Sequence, residues 1–143
     1  MPIRWPTSRA APIWCWSTRR APAPAPWRRN PDAKWRMRPG ALEIRLKDRA
    51  EVLARAARLV KPGGRIAYIT CSVLAPENTG RVQAFTAAHP EFAVVPPAEV
   101  AAALWDKAEL FLAAAWISPE GLLMTPRRTG TDGFFVSVLK RQG

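Results

Sequence analysis

The chain has 143 residues, 48% of them apolar, enough to bury one modest core but short for a complete doubly wound enzyme domain. With 22 Lys and Arg against 11 Asp and Glu, its formal charge of +11 points to a polyanionic partner, nucleic acid before an anionic membrane surface. Cys15 and Cys71 match neither a disulfide framework nor a metal-ligand spacing, the apolar runs fall well short of the ~20 residues of a membrane span, and the Pro- and Arg-interrupted amino terminus lacks the apolar region of a signal peptide, so a cytoplasmic protein without a metal or a membrane contact is expected.

Residues 1–26 differ from the rest. Prolines crowd this region, no acidic residue precedes Asp32, and Trp5, Trp14 and Trp16 follow neither a helical nor a strand period. By composition this is a disordered, basic, Pro-rich tail. From Trp27 the pattern becomes orderly. WRRNPDAKWRMRPG is a polar loop in which Arg28, Arg29, Lys34, Arg36 and Arg38 accompany Trp27 and Trp35, a pairing suited to phosphate contact and base stacking.

Residues 41–60 give the clearest helix. Leu42, Leu46, Ala50, Leu53, Ala57 and Val60 recur at three- and four-residue spacing and predict a buried stripe, with Glu43, Lys47, Asp48, Glu51 and Arg55 on other faces. The turn Lys61-Pro62-Gly63-Gly64 ends it and feeds a strand, RIAYIT, whose carboxyl end carries Thr70-Cys71-Ser72. Helix, turn and strand make an αβ unit, and in an open α/β sheet ligands gather at that strand end. Cys71 is therefore the first candidate for chemistry.

A second helix is predicted over residues 76–88, with Val82, Phe85 and Thr86 on one side and Glu77 favouring the positive end of its dipole. His89-Pro90 ends it; His89 reads as a helix-end cap rather than a base or ligand. Residues 91–96 form a short strand bounded by Pro96. Residues 98–116 are alanine-rich and predict helical turns packed by Leu104, Trp105, Leu110, Phe111 and Trp116. GLLMTP and GFFVSVL are strands joined by RRTGTD, expected as an antiparallel pair at the edge of the sheet.

In this order, WRRNPDAKWR, LVKPGG, RIAYITCSVLAPEN, LLMTP and TGTDGFF resemble the carboxyl half of the catalytic domain of Sun-type (RsmB-like) RNA cytosine-5 methyltransferases, from Trp27 to about Arg141. TCS followed by PEN, with DGFF downstream, is the specific part. KPGG before a strand is common to many methyltransferases. The resemblance implies an α/β fold, a partial Rossmann-like class I methyltransferase sheet with an antiparallel last strand, behind a disordered amino terminus. It implies S-adenosylmethionine as cofactor and RNA as partner, ribosomal RNA by family default and transfer RNA as the other choice. It also makes Cys71 the nucleophile that adds to C6 of cytosine, with Arg28, Arg29 and Lys34 facing RNA and Asp132 to Phe135 closing the sheet. Such a thiol is expected to have a lowered pKa, from a helix terminus or cationic surroundings.

One departure stands out. The family's DAPCSG motif, with its second cysteine, belongs immediately before WRRNPDAKW, where this chain has PIWCWSTRRAPAPAP. Read from the third base of each codon, residues 12–26 permit the string DLVLVDAPCSGTGT at every position. Residues 1–26 are thus expected to be an out-of-frame translation of the motif, with the frame restored near Trp27, and residues 27–143 to be the carboxyl part of the catalytic domain. As written, the chain has no Gly-rich loop to cradle the cofactor. A non-catalytic basic RNA-binding module and a non-functional remnant stand as alternatives to the enzyme fragment.

Overall fold

The computed structural model describes residues 13–16, 31–36 and 38–143. Among these, a strand β1 (Ile13–Trp16) and a 3-10 helix (Pro31–Arg36) precede the first long helix, α1 (Ala41–Leu59). Gly40 enters α1 and Gly63 leaves it, both with φ at 78°, in the left-handed region that glycine adopts without steric cost. The KPGG turn is anchored to the far end of the sheet: Gly63 donates its N–H to the Arg141 carbonyl and Arg141 donates back to Gly64. Strand β2 (Arg65–Thr70) follows, then a 3-10 turn (Ala75–Glu77) and α2 (Thr79–Ala88). The remaining elements are β3 (Phe92–Val94), α3 (Pro97–Ala102), α4 (Ala108–Ala114), the hairpin β4 (Trp116–Ser118) and β5 (Gly121–Met124), the short helix α5 (Pro126–Thr129) and β6 (Phe134–Arg141).

The described strands form one sheet in the order β1-β2-β6-β5-β4, with β3 beside β5 on the same edge of β6. Strands β1 and β2 are parallel and every other pair is antiparallel. Ile66, Tyr68 and Thr70 alternate inward along β2 opposite Leu139, Ser137 and Phe135 of β6, so the side chains of both strands meet on one face. Leu53, Ala56, Ala57 and Val60 from α1 and the end that follows it, with Val82 and Phe85 from α2, close over that face. Leu53 is fully buried, a contribution of roughly 1.5–3 kcal/mol from transfer out of water alone. This is the expected α/β architecture with its antiparallel last strand. Within residues 1–26, Ile13–Trp16 pairs its backbone in parallel with residues 66–69 of β2; the rest of that segment lies outside the described residues.

Several expectations are corrected. The stripe of α1 holds in its second half, but in the first half Arg45 and Arg49 face inward where Leu42, Leu46 and Ala50 were expected. The cause is a buried carboxylate beneath them, described below. The single helix expected over residues 76–88 is two elements, because Asn78 leaves helical geometry (φ −113°, ψ −100°) to make side-chain bonds elsewhere. In residues 98–116 it is Ala101 and Ala115 that are buried, while Leu104, Trp105, Leu110 and Trp116 are exposed; the short helices α3 and α4 pack on each other. The final strand is interior rather than at the edge, paired with β2 on one side and with β3 and β5 on the other. His89 does cap α2, donating its N–H to the Phe85 carbonyl, with its ring stacked 4.6 Å from that of Phe85.

Candidate active site at the end of β2

The loop that leaves β2 is held by a chain of short hydrogen bonds among buried groups. Thr70 Oγ1 donates to Asn78 Oδ1 at 2.6 Å, and Asn78 Nδ2 donates to the Ser72 carbonyl at 2.9 Å. Ser72 Oγ donates to Glu77 Oε2 at 2.6 Å and accepts the Leu74 N–H at 3.1 Å. Tyr68 OH donates to the Glu77 carbonyl at 2.7 Å. The two motifs of the sequence, TCS and PEN, therefore clasp each other across the strand end.

Glu77 is fully buried, and α1 supplies its countercharges. Arg45 Nε lies 2.8 Å and Arg49 Nη2 3.3 Å from Glu77 Oε1, and Arg49 Nη1 reaches Tyr68 OH at 3.5 Å. A carboxylate withdrawn from water needs this pairing. Nη1 and Nη2 of Arg45 have no hydrogen-bond partner. Burial pushes the Tyr68 hydroxyl above its ordinary pKa, against the opposing pull of Arg49.

Between the buried Thr70 and Ser72, Cys71 remains half-buried with a free thiol. Burial pushes this thiol above its ordinary pKa; the Arg49 charge pulls it down and Asp132 pushes it up. The depressed pKa expected from the sequence is thus reversed, because desolvation of the thiolate outweighs one guanidinium already committed to Glu77 and Tyr68. Glu77 is likewise not a dipole partner of α2 but the hub of the clasp.

Of the other residues singled out from the sequence, Arg28 and Arg29 lie outside the described residues. Lys34 falls on the 3-10 helix Pro31–Arg36 ahead of α1, with its side chain outside the described residues. Sequence reasoning missed Arg45 and Arg49. Their spacing of four, continued by Leu53 and Ala57, was the available signal.

Beside the loop lies a cavity of about 260 Å³, walled by Val73, Ala75, Asn78 and Thr79 on one side and by Trp116, Ser118, Leu123 and Phe135 on the other. The profile of the family described as 16S rRNA methyltransferase RsmB/F matches residues 22–140. The chain belongs to the RsmB/F family. It is 32% identical over 115 residues to ribosomal RNA small subunit methyltransferase B of Sodalis glossinidius, covering 80% of this chain and 23% of that protein. It is 31% identical over 116 residues to the probable ribosomal RNA small subunit methyltransferase B of Bacillus subtilis, covering 81% of this chain and 24% of that protein. A crystal structure titled PH0851 superimposes with a TM-score of 0.68 at 30% identity, over 85% of this chain and 25% of that one. The chain thus spans about a quarter of the length of the curated relatives it matches.

Membership in the RsmB/F family implies S-adenosylmethionine as methyl donor. The described residues do not fit it. Neither β1 nor β2 leads into a Gly-rich turn, and the cavity lined by Val73 and Phe135 offers no carboxylate to a ribose. No helix among the described residues is long and apolar enough to cross a membrane.

Proposed function

We propose that the chain is the nucleophile-bearing part of an RNA cytosine-5 methyltransferase acting in the cytoplasm, on ribosomal RNA rather than transfer RNA, with Cys71 as the attacking thiol. The observation that carries this reading is the clasp itself. In a chain of the RsmB/F family, a free thiol stands at the carboxyl end of a sheet strand while its neighbours on both sides are locked into buried hydrogen bonds.

Cytosine C5 is a poor nucleophile because its π electrons are drawn into the ring. Once Cys71 loses its proton, Sγ can bond to C6 and the C5–C6 π pair moves onto C5, which becomes enamine-like. A solvent proton can then take that pair. Loss of the original C5 proton afterwards expels the thiolate and restores the ring, so the net event is exchange of the C5 hydrogen. In full methylation a methyl group takes the place of the incoming proton, from a donor that residues outside those described would hold. The base must stand outside its stack to present both faces, and Arg28, Arg29 and Lys34 are proposed to contact the RNA backbone.

Exchange at C5 tests the thiol without any methyl donor. Single-stranded RNA deuterated at cytosine C5 should lose label to water in the presence of the chain, and Cys71→Ser should abolish the loss while leaving RNA affinity nearly unchanged. Equal exchange in both would remove Cys71 from the chemistry, and none despite RNA binding would favour the non-catalytic RNA-binding module, a reading supported by the lack of a cofactor cradle among the described residues.

We further propose that residues 1–26 translate the DAPCSG region out of frame. Two observations support this: the family match leaves out residues 1–21 while taking in 22–26, and Ile13–Trp16 pairs in parallel with β2, the place a strand of the restored string would take. The nucleotide sequence decides it. Codons for residues 12–26 that cannot yield DAPCSG in the shifted frame would end the idea.

A further inference from the structure

Trp116 lines the cavity and is 62% exposed among the described residues, an unusual setting for an indole. It opens β4 and pairs across the hairpin with Leu123, which also lines the cavity. Phe135 forms another part of the wall; it pairs with Thr70, the residue before Cys71, so the cavity and the thiol share one end of the β2-β6 pair. Val73, two residues beyond Cys71, forms the facing side.

The surroundings are basic. Three residues beyond Leu123 begins α5, which carries Arg127 and Arg128, both exposed. Arg128 Nη2 donates to the Ala113 carbonyl at 2.9 Å, which fixes α5 against the end of α4 just before Trp116. The cavity's volume of about 260 Å³ lies below the roughly 300–1,000 Å³ of sites that enclose drug-sized molecules, and suits a single planar ring system. An aromatic face over an apolar slot, with guanidinium groups beside it and a chain of charge +11 behind it, matches the way single-stranded nucleic acid is held: bases stack and phosphates pair with cations. A purely acidic peptide would leave the slot unused, and an uncharged apolar one would leave the guanidinium groups unused.

We infer that this cavity receives an unpaired RNA base adjacent to the target cytosine, stacked on Trp116, with Arg127 and Arg128 on its flanking phosphates. The inference rests on the proposed function for the identity of the target, but its test uses binding alone. The probe is a short single-stranded RNA with one cytosine, compared with versions abasic at each neighbouring position, titrated against the intact chain by anisotropy.

Removing one neighbouring base should weaken binding at least about fivefold, the scale of one base–aromatic stack. Trp116→Ala should cause the same loss with the intact RNA and none further with that abasic RNA. Trp116→Phe should restore most of the affinity. Arg127→Ala and Arg128→Ala should each lower the slope of log affinity against log salt by somewhat less than one. Equal affinity of the wild-type chain and Trp116→Ala for the intact RNA, or no binding of any RNA by the wild-type chain, would overturn the inference. Trp116-dependent binding without C5 exchange would leave it standing while the catalytic reading fell.

Discussion

Cys71 sits under opposing influences, and their balance sets when it can react. Loss of hydration raises its pKa, Arg49 lowers it and Asp132 raises it. Because the thiolate is the reactive form, alkylation of Cys71 by iodoacetamide should accelerate with pH to a midpoint above the value of about 8.5 for free cysteine. Asp132→Asn should move that midpoint down and quicken reaction at neutral pH; Arg49→Met should move it up. Mass spectrometry of the labelled chain over pH 6–10 reads all three, and a wild-type midpoint at or below that of free cysteine would contradict the account. C5 exchange should rise through the same midpoint. The thiol's position at the strand end was legible from residue types alone, since a β-branched and aromatic run before TCS reads as a strand. Its environment was not, because Arg49 and Asp132 reach it from distant parts of the chain.

At the scale of elements, α1 spends part of its buried face on two charges. Arg45 and Arg49 lie one turn apart and in line with Leu53, so the apolar stripe continues as a cationic one facing Glu77. Sequence periodicity placed the helix but rotated its first half, because Leu42 and Leu46 also recur at helical spacing and arginine is ordinarily a surface residue. Only the partner resolves the choice, and Glu77 lies 32 residues beyond Arg45. Removing the negative charge would leave two guanidinium groups buried together. Glu77→Gln should therefore destabilise the chain by about 3–5 kcal/mol in chemical denaturation, whereas Glu43→Gln, on the exposed side of the same helix, should stay within about 0.5 kcal/mol. Similar losses for the two variants would mean that the clasp contributes little. A Glu77→Gln chain that still folds should also show faster amide exchange across residues 71–78, since Ser72 would lose its charged acceptor.

For the molecule as a whole, the strands β2, β3, β5 and β6 were each readable from local composition, and so was the antiparallel relation of the last two. Their order was not. Nothing in GFFVSVL distinguishes an outer strand from an inner one, because both faces of its backbone are chemically alike; only the set of available neighbours decides. The exposed tryptophans follow the same logic. Trp105 and Trp116 read as packing residues by type, but the buried positions of this region are taken by Ala101 and Ala115. The interior place of β6 also bears on synthesis. The eight residues Phe134–Arg141 leave the ribosome after β2, β3 and β5, yet they are the wedge to which all three attach. Until that wedge clears the exit tunnel, β2, β3 and β5 each lack the partner that β6 supplies on one edge, and the sheet can close only in a late, long-range step.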